Sequence, residues 1–348
     1  MLKYYRNSLI FTVLGLLGAA ALGWFDFHSV QGVLQTVFIV AVLGVLEVSL
    51  SFDNAVVNAT VLREMDALWR RRFLTWGIAI AVFGMRIVFP LVIVAVIARI
   101  SPWAAIVLAA TDPKEYAAIL TSAHVSISAF GGSFLAMVGL KHFMDQEKEI
   151  HWIRLIERPL ARLGRVEAVQ IGVVLALVWA VSTRVHAEEQ IVFLVAAIFG
   201  LLTYITVDGI SAFMEDANDD ATEIVARTGL ASFLYLEVLD ASFSFDGVIG
   251  AFALSTNLGV IAIGLGIGAM FVRSMTIMLV DQGTLTQYRY LEHGAFYAIF
   301  ALGVTMFLQT LYEIPEVVTG LTGAAFIGFA LWSSVRYNRK HLGELPIE

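Results

Sequence analysis

Two stretches of this chain place acids where an acid is costly. The first is Glu47-Val-Ser-Leu-Ser-Phe-Asp53-Asn54-Ala, inside a long apolar segment. The second is Glu237-Val-Leu-Asp240-Ala-Ser-Phe-Ser-Phe-Asp246-Gly247, inside another. Both contain Ser-Phe-Asp, and in both an acid stands six residues before that Asp, Glu47 before Asp53 and Asp240 before Asp246. An ionisable residue at membrane depth costs roughly 2.5 to 3.5 kcal/mol on the most lenient scale. Five acids in two matching stretches are too costly to serve only as links between helices, so the stretches are expected to face each other and form one cation site. Glu47, Asp53, Asn54, Asp240 and Asp246, with Glu237 as a further candidate, make an all-oxygen ligand set. Such a set without His or Cys suits Mg²⁺, Ca²⁺ or Mn²⁺, and several carboxylates favour a divalent ion over Na⁺. A proton relay of Asp and Glu is the main rival.

Geometry limits how these acids can meet. On a regular helix, positions 47, 51 and 54 share a face. Asp53 lies about 120° off that face, and Asp246 stands in the same relation to Asp240. Local unwinding would let both acids of a stretch reach one ion, and Gly247 is suited to it. Broken helices are tolerated at membrane depth where the backbone lines a cavity. Arg86 and Arg273 each fall on the span after an acidic stretch. They are expected to neutralise acids there, or to form fixed ion pairs.

The elements that must carry these residues are membrane spans. Of 348 residues, 59% are hydrophobic and only 15% charged. The mean hydropathy is +0.82. Soluble domains carry about a quarter charged residues. The expected fold is therefore an all-α polytopic membrane protein. Apolar runs of 17 to 25 residues predict about ten transmembrane helices, near 8–24, 32–62, 73–97, 116–143, 168–182, 191–207, 230–254, 259–280, 293–311 and 317–335. The count is eight if the fifth and sixth are not spans. The run at 32–62 is too long for one straight span and predicts a tilted or broken helix. Residues 145–167, with interleaved acids and bases, predict an amphipathic helix on the membrane surface. His124 reads as a core or interface histidine, and Asp208 as a solvated span end. The segment Asp216-Ala-Asn218-Asp-Asp220 resembles the start of an EF-hand loop but has Ala221 where the Gly is required and Arg227 where the final Glu is required.

With ten spans and the N-terminus inside, 17 of the 22 Lys and Arg fall on the cytoplasmic side and 3 outside, leaving Arg86 and Arg273 within spans. This asymmetry predicts a cell-membrane protein with both termini cytoplasmic. The second span then runs opposite to the seventh. Each carries a Ser-Phe-Asp stretch and is followed by a span with an embedded Arg, the pattern of an inverted-topology repeat with broken helices near the midplane. The chain divides accordingly into one membrane domain, 1–348. It contains a first repeat at 30–143, a linker with a surface helix and two extra spans at 144–228, a second repeat at 229–312, and a last span with cytoplasmic tail at 313–348.

Other chemistries find no support. The net charge of −7 argues against nucleic acid, and there is no cysteine to form a disulfide or a soft-metal site. No P-loop, dinucleotide fingerprint or zinc-type His/Cys spacing is present. No enzymatic activity and no permanently bound cofactor is expected.

The first stretch resembles the Glu-x-Ser-Leu-Ser-x-Asp-Asn signature of the TerC integral membrane proteins, which belong to a wider LysE-type exporter superfamily. Gly84-Met-Arg86, Gly131-Gly132, Gly139-Leu-Lys141, the second acidic stretch, Arg273 and Ile314-Pro315 also resemble features of that family, over roughly residues 30 to 335. The second motif departs from the family's usual Asp-Ser-Ile-Pro-Ala, reading Asp246-Gly247-Val248-Ile249-Gly250 here. The resemblance implies a divalent-metal exporter, with Mn²⁺ as the first candidate, and it places the family's acidic motifs on Glu47, Asp53, Asn54, Asp240 and Asp246. The partners implied are the lipid bilayer, the transported cation and, where it self-associates, a second copy of the chain. Two other readings stay open. One is a membrane accessory protein that delivers metal to secreted enzymes or acts in metal or tellurite stress. The other is an ion-coupled exporter of a small organic solute.

Overall fold

The computed structural model describes residues 2–77, 79–146, 148, 150–164, 167–215 and 221–340; within these, the side chains at 64, 167, 210–215, 221–228, 245–246, 253 and 316 lie outside the description. The described residues are all-helical, with no strand among them. The chain opens with α1 (Leu2–Phe27), α2 (Val30–Leu50), α3 (Phe52–Glu64) and the short α4 (Ala67–Arg72). Two π-helical segments follow, Phe73–Gly77 and Ile80–Val88, and lead into α5 (Phe89–Ile97). Then come α6 (Pro102–Thr111), α7 (Pro113–Ser122), α8 (His124–Met144) and α9 (Arg154–Leu163). The second half holds α10 (Glu167–Ser182), α11 (Gln190–Glu215), α12 (Ala221–Leu254), α13 (Leu258–Asp281), α14 (Thr284–Gln287), α15 (Leu291–Gln309) and α16 (Glu316–Lys340).

Eight helical stretches among the described residues are long and apolar enough to cross a bilayer, and α9 with α10 forms a bent pair that would make a ninth. The described part of α12 is not among them. The protein is therefore a polytopic membrane protein. Outward faces of α1, α2 and α16 carry exposed Leu14, Leu17, Phe38 and Trp332, which a bilayer would cover.

Two helix layers meet around the acids. α8 packs along α11 and α15, and α13 packs along α1 and α2. Small residues set these distances, as is usual between membrane helices. A Cβ at Gly264 would stand 2.6 Å from the Cβ of Leu43, and one at Gly132 only 3.1 Å from the Gly303 carbonyl. Bulkier residues at these positions would hold the helices apart.

The predicted break in the second span lies at Ser51. Its φ of −105° and ψ of 19° leave the helical region, while its N–H still bonds the Glu47 carbonyl at 3.0 Å. The break separates Glu47, near the end of α2, from Asp53, in the first turn of α3. A carboxylate suits that turn, where the helix dipole is positive. The unwinding expected at Gly247 does not occur, and α12 runs unbroken through it.

Candidate functional site

Glu47 sits where three helices come closest. A Cβ at Gly268 of α13 would fall 2.4 Å from the Glu47 Cβ, and one at Gly247 of α12 would fall 3.1 Å from its Oε2. Gly268 leaves the room that the Glu47 stem fills, and Gly247 lies against its carboxylate from the other helix. The Glu47 carboxylate is buried. It accepts a hydrogen bond from the Arg86 guanidinium in a buried ion pair, and a second from the Ser51 hydroxyl at 3.3 Å. Arg86 also donates to the Ala81 carbonyl, five residues earlier in the same π-helical segment. π-helical turns are rare and are frequent at functional sites. Removing one partner of such a buried pair leaves a charge that costs about 3 to 5 kcal/mol.

One turn beyond the break, the two acidic stretches join. Asn54 donates through Nδ2 to Asp240 Oδ1 at 2.6 Å, and Asn58 donates to the same oxygen at 3.4 Å. All three side chains are buried. The amide oxygens of Asn54 and Asn58 have no hydrogen-bond donor among the described residues. A cavity of about 40 Å³ brings together Glu47, Ser51, Asn54, Asn58, Asp240, Arg86 and Arg273. One water needs only about 10 to 15 Å³ by this measure. Arg273 donates to the Phe73 carbonyl at 3.4 Å from across this cavity.

Asp53 faces elsewhere. It lines a second cavity of about 30 Å³ with Glu47, Ser51, Phe243, Gly247 and residues of α16. A Cβ at Gly323 of α16 would lie 2.6 Å from Asp53 Oδ2. Its Oδ1 accepts the Asn54 N–H at 2.9 Å. Glu47 and Ser51 therefore line both cavities.

Of the predicted set, Glu47, Asn54, Asp240, Arg86 and Arg273 meet at one cavity, and Asp53 occupies its neighbour. Glu237 is buried against Gly77, with neither carboxylate oxygen hydrogen-bonded to a described residue. The side chain of Asp246 and the acidic segment 216–220 lie outside the described residues. Among the described residues, no three His, Asp or Glu side chains converge closely enough to hold a metal together. His124 contacts Ser128 at 3.5 Å, and Asp208 pairs with Lys141. Sequence reasoning missed Asn58, although it extends the 47, 51, 54 face by one further step of four, and it missed the glycine seat of Glu47.

A larger cavity, about 720 Å³, opens where α1 ends and α13 begins, lined by Asp26, Gln35, Thr36, Ile87 and Asn257 among others. Ile39 and Leu91, which also line this cavity, pack against an apolar cluster containing Leu43, Ile261 and Leu265. Along α2, the eight steps from Ile39 to Glu47 span about 12 Å.

No curated protein and no solved structure matches this chain. One family matches residues 52–341, a range that begins just after Glu47 and Ser51 and takes in Asp53, Asn54, Asn58, Arg86, Asp240 and Arg273. The chain belongs to the family described as "Protein of unknown function (DUF475)".

Proposed function

We propose that this protein is a transporter of a hard divalent cation, most simply Mn²⁺, working by alternating access around the buried carboxylates. The observation that carries this reading is the hydrogen bond from Asn54 to Asp240, 186 residues apart, which puts both acidic stretches on one buried, oxygen-lined cavity. The resemblance to the TerC proteins supports the choice of ion and gives the direction, out of the cytoplasm. The charge asymmetry of the loops supports a cell-membrane location with both termini cytoplasmic, and the two matching stretches support an inverted repeat. The ligand donors would be Glu47, Asn54 and Asp240 from one cavity, with Asp53, Asp246 and Glu237 engaged as the ion moves. Glu47 is held by Arg86, so binding a dication there requires Arg86 to withdraw. The arginine then returns as the ion leaves, keeping the buried charge balanced.

The test compares cells grown in excess Mn²⁺ with no protein, wild type, Asp53→Asn or Asp240→Asn, at matched membrane expression, and repeats the comparison as ion flux in liposomes. Lower cellular Mn and flux with wild type alone are the expected result. Flux in neither system, with Mn unchanged, would overturn the transporter reading and favour the accessory role. Flux of an organic solute without Mn²⁺ would favour the organic-solute exporter.

A further inference from the structure

The short helix α9 divides its surface into three sectors. At 100° per residue, Arg154, Arg158 and Arg162 fall within about 80° of one another. Leu155, Ile156, Pro159 and Leu163 fill the next ~100°. All seven are exposed, Leu155 at 87%. Glu157, Leu160 and Ala161 occupy the remaining sector and face the protein, with Glu157 fully buried.

The inward sector fixes where α9 lies. Glu157 accepts hydrogen bonds from the N–H groups of Trp152 and Ile153 at 3.2 and 3.0 Å. It also lies 3.5 Å from both Lys148 Nζ and His293 Nε2, the latter in the first turn of α15. His293 Nε2 is 2.7 Å from the Ile150 carbonyl. At the other end, Gly164 presses on the Met144 carbonyl, which ends α8. α8 and α15 are both candidate spans. The helix is thus clamped where two spans emerge from the bilayer, and its outer sectors face away from the bundle. No described residue forms an ion pair with any of the three arginines.

We infer that α9 is a docking site for anionic phospholipid headgroups of the leaflet it lies on, with the arginine sector taking the phosphates and the leucine sector entering the acyl boundary. Adjacent basic and apolar sectors on a helix at the membrane surface are the features such binding requires. The charge is complementary and has no acidic partner among the described residues, and each cation near an anionic surface contributes about a fivefold gain in association. The rigid clamp through Glu157 keeps both sectors turned outward.

The experiment uses the full chain in nanodiscs. The chain has no native cysteine, so Leu163→Cys carries a single fluorescent donor beside the arginines. Energy transfer is read to trace acceptor-labelled phosphatidylglycerol or phosphatidylcholine in a phosphatidylcholine disc. Transfer to phosphatidylglycerol should exceed transfer to phosphatidylcholine, and the excess should shrink with added salt. It should vanish when Arg154, Arg158 and Arg162 are all replaced by Gln and survive when all three are replaced by Lys. Equal transfer to both lipids with the arginines intact would overturn the inference. So would an excess that persists in the Gln variant at an unchanged thermal midpoint. Loss of the excess on adding inorganic phosphate at constant ionic strength would assign the arginines to a soluble anion instead, which also overturns it.

Discussion

The buried pair of Glu47 and Arg86 concentrates the energetics of the site in two side chains. Arg86→Met should lower thermal stability in detergent by about 3 to 5 kcal/mol, because Glu47 is then left charged without its partner. The double variant Glu47→Gln/Arg86→Met should regain most of that loss while remaining inactive in ion flux. Recovered flux in the double variant would remove Glu47 from the transport site. The amides make a separate prediction. Asn58→Leu removes one hydrogen bond to Asp240 but leaves the shorter one from Asn54. It should cost about 1 kcal/mol and weaken apparent ion affinity more than expression, as read from the half-saturating concentration of Mn²⁺. The acids of this site could be read from sequence because their cost at membrane depth has no other outlet. Asn58 could not, since an amide in an apolar run carries no comparable penalty and so no comparable signal.

At the scale of elements, two devices do the positioning. One is the break at Ser51, across which Glu47 lines both cavities while Asp53 lines only the second. The 120° offset between these residues and the length of the apolar run made a break legible. Which way each half would face depended on α16, whose Gly323 gives Asp53 its own seat, and no local pattern encodes that. The other device is the glycine seat on α13. Gly268→Val should shift α2 away from α13 and cost about 1 to 3 kcal/mol or more through overpacking, with flux lost. Gly172→Val, where a Cβ would meet nothing within 4 Å, is the matched control and should be near neutral. Equal thermal midpoints for the two variants would contradict the close approach described at Gly268. The π-helical course around Arg86 was not legible, because hydrogen bonding to the fifth residue leaves the same apolar composition as hydrogen bonding to the fourth.

For the whole molecule, composition alone carried the class: the apolar fraction required a multi-pass helical protein, and eight helices among the described residues are long and apolar enough to span. The interleaved charges of residues 145–167 predict an amphipathic helix, and α9 falls within that range. Its anchorage was not legible, since Lys148, Glu157 and His293 meet only when α8 and α15 lie side by side. Glu157→Gln should therefore speed hydrogen exchange through residues 150–163 while leaving exchange in the site helices unchanged. Uniform exchange across the linker in both proteins would show that the clamp is not what orders it.

The sharing of Glu47 and Ser51 by two small cavities has a kinetic meaning. In the transport cycle proposed above, the two chambers would compete for the one Glu47 carboxylate that both of them touch. Ions would pass in single file. Neutralising Glu47 should then depress tracer influx and tracer efflux by the same factor, and a second ion species should slow the first from either face of the membrane.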